Sequence, residues 1–295
     1  MPHRVVIDRG RALSFARGAC LAVIFGLASN GAAFAQQRPL VTEDPETVGT
    51  GNVLLEAGFD AQRDIFFPAS GLRGDLLRFP TVGVSFGFSS ILELQIDGGF
   101  YNRLNIKSIE PAPLSDKLEL SGDETTDLED VVVATKIRLV SESAGRPSVG
   151  VRLATKLPLA GNESGLGLDT MDFYMSALLG KTVQSVRVVG NLGLGILSDP
   201  IEGDRQNDVV TYGVSVARAL QQGLEFVGEI NGRVSTREER TPPGTETRSG
   251  IRVGLRYTRS AVRVDGGLLF GLTSRDPNFG FTGGFTYVFR GFTLP

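Results

Sequence analysis

Beyond residue 50 the chain alternates apolar and small or polar residues with a period of two, again and again. Val53, Leu55, Ala57 and Phe59 alternate with Glu56, Gly58 and Asp60. Val82, Val84, Phe86 and Phe88 alternate with Thr81, Gly83, Ser85 and Gly87. Val210, Tyr212, Val214 and Val216 alternate with Thr211, Gly213 and Ser215. A period of two is the signature of a strand with two unlike faces. Twelve such segments can be counted, ending with Gly280–Phe289, GFTGGFTYVF. There Phe281, Phe285, Tyr287 and Phe289 share one face and Thr282, Gly284 and Thr286 the other.

The connections alternate too. Short ones fall near 88–90, 141–147, 180–184, 218–223 and 258–261, and longer ones at 61–75, 103–127, 158–169, 198–207, 233–247 and 273–279. Antiparallel strands with short turns on one side and long loops on the other predict an all-β fold. The expected form is a closed antiparallel transmembrane β-barrel of about twelve strands, with periplasmic turns and extracellular loops. A soluble sandwich or lipocalin-like barrel also alternates. Its second face, however, is usually rich in Lys and Glu, whereas here it is Gly, Ser, Thr and sparse charge. Closure is expected between the last strand and Asn52–Gln62, because open sheet edges are excluded from the bilayer core. The aromatic face of the last strand is then turned to outer-membrane lipid, and its terminal rings form the feature that barrel-assembly machinery would read.

The N-terminus reads as an address. Arg4, Arg9, Arg11 and Arg17 precede CLAVIFGLA and then AAFA, the pattern of a secretory signal peptide cleaved after Ala35. The expected organisation is a signal peptide at 1–35, a periplasmic segment at 36–51 and a barrel at 52–295. Composition then limits the chemistry. The single His (His3) and single Cys (Cys20) both lie in the signal segment, and the chain has no Trp. A Ser-His-Asp triad, a Cys-His dyad, a disulfide and a thiolate metal site are all excluded from 36–295, and no cofactor or metal is expected. The signal segment holds four Arg and one Asp, so 26 basic and 32 acidic residues remain, a net charge of −6. Nucleic-acid binding needs net basic character and is disfavoured.

Charges on the inward parity suggest partners across strands. One register across the 233–247 loop puts Glu225 opposite Arg256 and Glu229 opposite Arg252, with Arg263 and Asp265 diagonal to Arg256. A register across 103–127 puts Glu93 opposite Arg138 and Gln95 opposite Lys136. Across 158–169, Lys156 falls opposite Asp172. Most of these residues (Glu93, Asp172, Glu225, Glu229, Arg252, Arg256) read as an ion-pair ladder that fills the lumen and holds register. Lys136, Arg138, Arg152 and Lys156 stand apart as a basic wall on two adjacent strands, the part of the lumen most suited to an anionic solute. The acidic run GDETTDLED at 122–130 lacks calcium-loop spacing, and GNLGLG at 190–195 lies inside an alternating strand; both read as ordinary loop and strand.

The segment LVTEDPETVGTGNVLLEAGFD, Leu40–Asp60, resembles the opening of a bacterial outer-membrane β-barrel transporter family described as meta-pathway phenol-degradation proteins. The matches are Thr42, Glu43, Pro45, Val48, Gly51 and Glu56-Ala57-Gly58. This chain has Glu43-Asp44-Pro45 where the family more often has Asp-Arg-Pro. The resemblance covers about twenty residues and implies an outer-membrane barrel linked to uptake of small or hydrophobic compounds, with no site residues to transfer. The expected function is passive passage of a small hydrophobic or anionic solute through the cell outer membrane. A closed-lumen structural or surface-interaction barrel is the alternative, and a barrel enzyme a more distant one.

Overall fold

The computed structural model describes residues 38–237 and 241–293; the expected signal segment at 1–35 lies outside them. Fourteen β elements follow one another: β1 Asn52–Phe67, β2 Leu72–Gly87, β3 Leu92–Gly99, β4 Asn102–Ile109, β5 Glu124–Asp127, β6 Val131–Val140 and β7 Ser148–Leu157. Then come β8 Asp172–Val183, β9 Val186–Ser198, β10 Gln206–Gln221, β11 Leu224–Ser235, β12 Arg248–Arg259, β13 Val262–Gly271 and β14 Phe279–Arg290. A single 3-10 turn, Ser115–Lys117, is the one helical element among the described residues. All pairings are antiparallel, and β1 pairs with both β2 and β14, so the sheet closes on itself. The seam runs from Asn52↔Arg290 to Arg63↔Phe279, where closure was expected.

Fourteen elements make twelve barrel strands, because β3 with β4 and β5 with β6 are single strands interrupted midway. Register shows this. Thr81↔Gly99 and Arg78↔Asn102 belong to one register, as do Asp97↔Val132 and Asn102↔Asp127. Neither of these pairings slips at the break, but the faces exchange. In β2 the buried positions are 83, 85 and 87 below the break and 72, 74 and 76 above it. In the β3–β4 strand they are 93 and 95 below, 102 and 104 above. In the β5–β6 strand they are 134 and 136 below, 125 above. Two successive residues at the break point outward together, as in a bulge, and Phe79, Phe100, Tyr101 and Leu128 are exposed there.

Above this break the long loops give way to strand. Residues 61–75, expected as a loop, continue β1 and β2 to a tight turn, and 103–127 contains β4 and β5. The inward face of this extension is apolar. Ile65, Leu72, Leu76 and Leu104 form a buried cluster, against which Leu118, Leu120 and Leu166 of the loops 110–123 and 158–171 pack. The loops are pinned by Ser70 donating to Gly165 O (2.8 Å) and Thr125 to Ser164 O (2.9 Å). They fold over this side of the bore.

Along the rest of the wall the outer face is large and apolar. Leu192, Leu194, Phe226, Leu255, Phe281 and Phe285 are all exposed. Tyr287 and Phe289 stack at 5.4 Å near the end of β14, and Phe292, beyond the strand, packs on Phe88 at 5.8 Å. The aromatic face of β14 therefore points outward, and its Thr282 and Thr286 are buried inside.

Candidate functional site

The sequence placed 36–51 ahead of the barrel on its periplasmic side, but residues 38–48 lie inside the bore. They form a strap that passes round the inner wall strand by strand. Arg38 donates to Thr81 Oγ1 on β2 (3.1 Å) and to Thr282 Oγ1 and Gly283 O on β14 (3.2 and 2.9 Å). Arg252 on β12 donates to Pro39 O (3.2 Å), and Leu40 clusters with Ala217 and Val227 of β10 and β11. The N–H groups of Val41 and Thr42 donate to Glu229 (2.9 and 2.8 Å). Glu43 N–H donates to Asn191 Oδ1 on β9 (2.7 Å), and Asn191 returns a bond to Glu43 O (2.8 Å). Asp44 pairs with Arg187, Glu46 with Arg138 on β6, and Val48 N–H donates to Glu93 on β3 (2.7 Å). The circuit ends at β1.

A strap with no partner strand leaves its peptide groups to be satisfied by side chains, and Glu229, Asn191 and Glu93 do this. Space comes from the small residues of the inner face. A Cβ on Gly213 would sit 2.8 Å from Thr42 Oγ1; on Gly180 or Gly150 it would come within 3.1 or 3.2 Å of Pro45. On Gly284 it would lie 2.6 Å from Arg38 Nε. The glycine-rich inner parity thus serves a second chain segment and not an empty bore.

The expected basic wall takes its place in this arrangement. Lys136 and Arg152 face each other across β6 and β7. Lys136 is fully buried, 3.1 Å from Glu93 and 3.4 Å from Glu43. Arg152 lies 3.0 Å from Glu43 and donates to Gln95 (2.8 Å). Arg138 is held by Glu46, and Lys156 lies 3.0 Å from Asp130 and 3.1 Å from Asp172. All four cations are therefore matched, three of them by strap acids. The expected pairing of Glu93 with Arg138 and Gln95 with Lys136 is corrected: Glu93 faces Lys136, and Gln95 faces Ala134. A shift of two residues keeps every side chain on its face, so alternation could not decide it, and Arg138 is claimed by the strap.

The other ladder residues stand in the expected register, Glu225 opposite Arg256 and Glu229 opposite Arg252. Glu225 is 2.7 Å from Arg256 and 3.9 Å from Arg263, and Asp265 faces Arg256 directly, not diagonally. Arg252 is 3.8 Å from Glu229, whose carboxylate is mostly engaged by the strap. At the turn side, Glu142 closes the end of the network. Burial alone would raise its carboxyl, but Thr182, through its N–H and hydroxyl, and the Arg187 guanidinium hold it below the usual carboxylate range.

The strap divides the bore without filling it. One cavity of about 460 Å³ lies above it, another of about 380 Å³ on the turn side and a third of about 320 Å³ beside Arg38. Thr42 borders the first two, Leu40 the last two, and Val41 and Glu43 the first and third. No grouping of His, Cys, Asp and Glu suited to a metal ion occurs among the described residues.

No protein-family model matches the chain, and no curated protein matches it. Solved structures do share its fold. The COG4313 outer membrane channel from Pseudomonas putida F1 superposes with a TM-score of 0.55 at 12% identity, covering 83% of this chain and 98% of that one. The NanC porin gives a TM-score of 0.48 at 11% identity over 79% and 98%, and the CymD monoaromatic hydrocarbon channel 0.44 at 10% over 83% and 90%. The first likeness agrees with the closed antiparallel barrel. It gives no support to the phenol-degradation description of the family that Leu40–Asp60 resembles; those residues are most of the strap and the first part of β1.

Proposed function

We propose that the chain is an outer-membrane channel for passive passage of small solutes, with its bore set by the internal strap. The outer face carries the reading of location. A soluble protein does not expose a continuous belt of Leu, Val and Phe around its circumference, whereas a barrel in lipid needs one. The paired rings of Tyr287 and Phe289 sit where an interfacial girdle belongs, and they suit recognition by barrel-assembly machinery. The fold shared with an outer-membrane channel supports the same reading.

Passage rests on one observation. The inner face is polar and charged, and cavities lie on both sides of the strap and border the same strap residues. A barrel built only for structure would gain by packing that space. The alternative, a closed-lumen barrel, is favoured by the anchoring of the strap at successive strands and by the folded loops 110–123 and 158–171. Planar-bilayer recording separates the two. The channel reading expects discrete conductance steps from the purified full chain, and a silent, correctly folded barrel would support the closed-lumen alternative.

A further inference from the structure

Arg233 of β11 and Arg248 of β12 face each other in register. Like charges directly opposite destabilise a sheet unless something compensates them. Here the compensation is unusually thin. Arg233 donates from Nε to Glu246 O (2.9 Å) and from Nη2 to Gly244 O (2.5 Å), and the Tyr174 hydroxyl lies between it and Asp172. Arg248 donates to Arg275 O and Phe66 O, both at 2.9 Å. All four acceptors are main-chain carbonyls. Among the described residues, neither guanidinium has a carboxylate within 4.0 Å.

Two of the three nearby acids are committed elsewhere. Asp276 and Glu246 are within electrostatic reach of Arg248. Asp276 accepts from Ser249 N–H (3.0 Å) and the Thr273 hydroxyl (2.6 Å); Glu246 offers Arg233 its main-chain oxygen, while its side-chain Oε2 is buried without a hydrogen-bond partner and does not line the cavity above the strap. Asp172 is taken by Lys156 at 3.1 Å. Arg233 and Arg248 both line the cavity of about 460 Å³, whose floor is Val41–Glu43 of the strap. Asn231 and Arg252 line it as well, and Ile65, Leu178 and Leu269 supply apolar surface.

We propose that Arg233 and Arg248 form a binding site for a small organic carboxylate at the outer end of the bore. The proposal names the solute class for the channel reading above and rests on it. Two facing guanidinium forks match the planar geometry of a carboxylate, and each keeps N–H donors to spare. The apolar wall favours an anion with a hydrocarbon body over a bare inorganic one. The volume suits a single-ring or short-chain acid.

The test is calorimetric titration of the detergent-solubilised full chain with benzoate, with benzyl alcohol and inorganic phosphate as comparison ligands. Benzoate is expected to bind more tightly than either. Arg233→Gln and Arg248→Gln should each weaken it about tenfold or more, and the double variant should abolish it. Arg205→Gln, on an exposed loop, should leave binding unchanged, and heat-modified electrophoretic mobility should show each variant folded. Benzoate binding no better than benzyl alcohol, phosphate binding as tightly as benzoate, or benzoate binding untouched in the double variant would each overturn the proposal. A barrel that binds benzoate yet never conducts would keep the site and overturn the channel; one that conducts yet ignores benzoate would do the reverse.

Discussion

On β6 and β7 four cations stand on adjacent strands, and each meets a carboxylate; on β11 and β12 two face each other and meet main-chain carbonyls and the Tyr174 hydroxyl, with no carboxylate within 4.0 Å among the described residues. By count the first patch is the more basic. By environment it is spent, because Glu43 and Glu46 arrive from the strap and Glu93, Asp130 and Asp172 from the wall. The second patch is smaller and keeps its charge for something else. In a closed barrel, then, inward charge alone does not describe the field a solute meets. What decides it is whether a partner reaches the charge from elsewhere in the chain.

Burial sharpens this contrast most. Lys136 is wholly enclosed with Glu93, so Lys136→Met leaves Glu93 without its counter-charge in the bore, while Glu43 keeps Arg152. Removing one partner of such a cluster costs about 3–5 kcal/mol, to be read from urea unfolding of the refolded barrel in detergent. A loss of under about 1 kcal/mol would mean that strap and wall are not joined there. Next in size is the space the strap occupies. Gly213→Val drives a side chain into Thr42 and should cost about 1–3 kcal/mol while loosening the strap, so that conductance rises. Gly190→Ala is the control, since a Cβ there meets nothing within 4 Å. Equal effects from the two would break the steric argument. The smallest effect is expected where an ion pair stays in water. Arg103 and Glu124 are bonded but substantially exposed, and Arg103→Gln should change stability by less than about 1 kcal/mol. A loss as large as that of Lys136→Met would remove burial as the deciding variable.

Much of the barrel was legible in the sequence because period-two alternation reports strand, face and closure together. The facing of Phe281 and Phe285, the seam with Asn52–Gln62 and the register of Glu225 with Arg256 all followed from it. That same register puts Arg233 opposite Arg248, so this pair could have been found by carrying the match two steps further. Alternation failed at three adjacent strands for one physical reason: the double-outward residues near Phe79, Phe100 and Leu128 exchange the faces, and the pattern above looks like loop. The strap was hidden for another. Its bonds run to residues far away in sequence, as from Arg38 to Thr282, and an extended segment satisfied by side chains carries no periodicity. TEDPE fell in the expected periplasmic segment, although its acids are counter-charges of the basic wall.

The measurement that tests this account most directly is planar-bilayer recording, under a salt gradient, of the full barrel beside one lacking residues 38–48. The strap carries three acids and one base, so its removal makes the bore more positive by two charges and uncovers Arg138, Arg152 and Arg187. The account predicts a conductance several times larger and a reversal potential shifted toward anion selectivity. Conductance and selectivity unchanged in a correctly folded, strap-less barrel would contradict it.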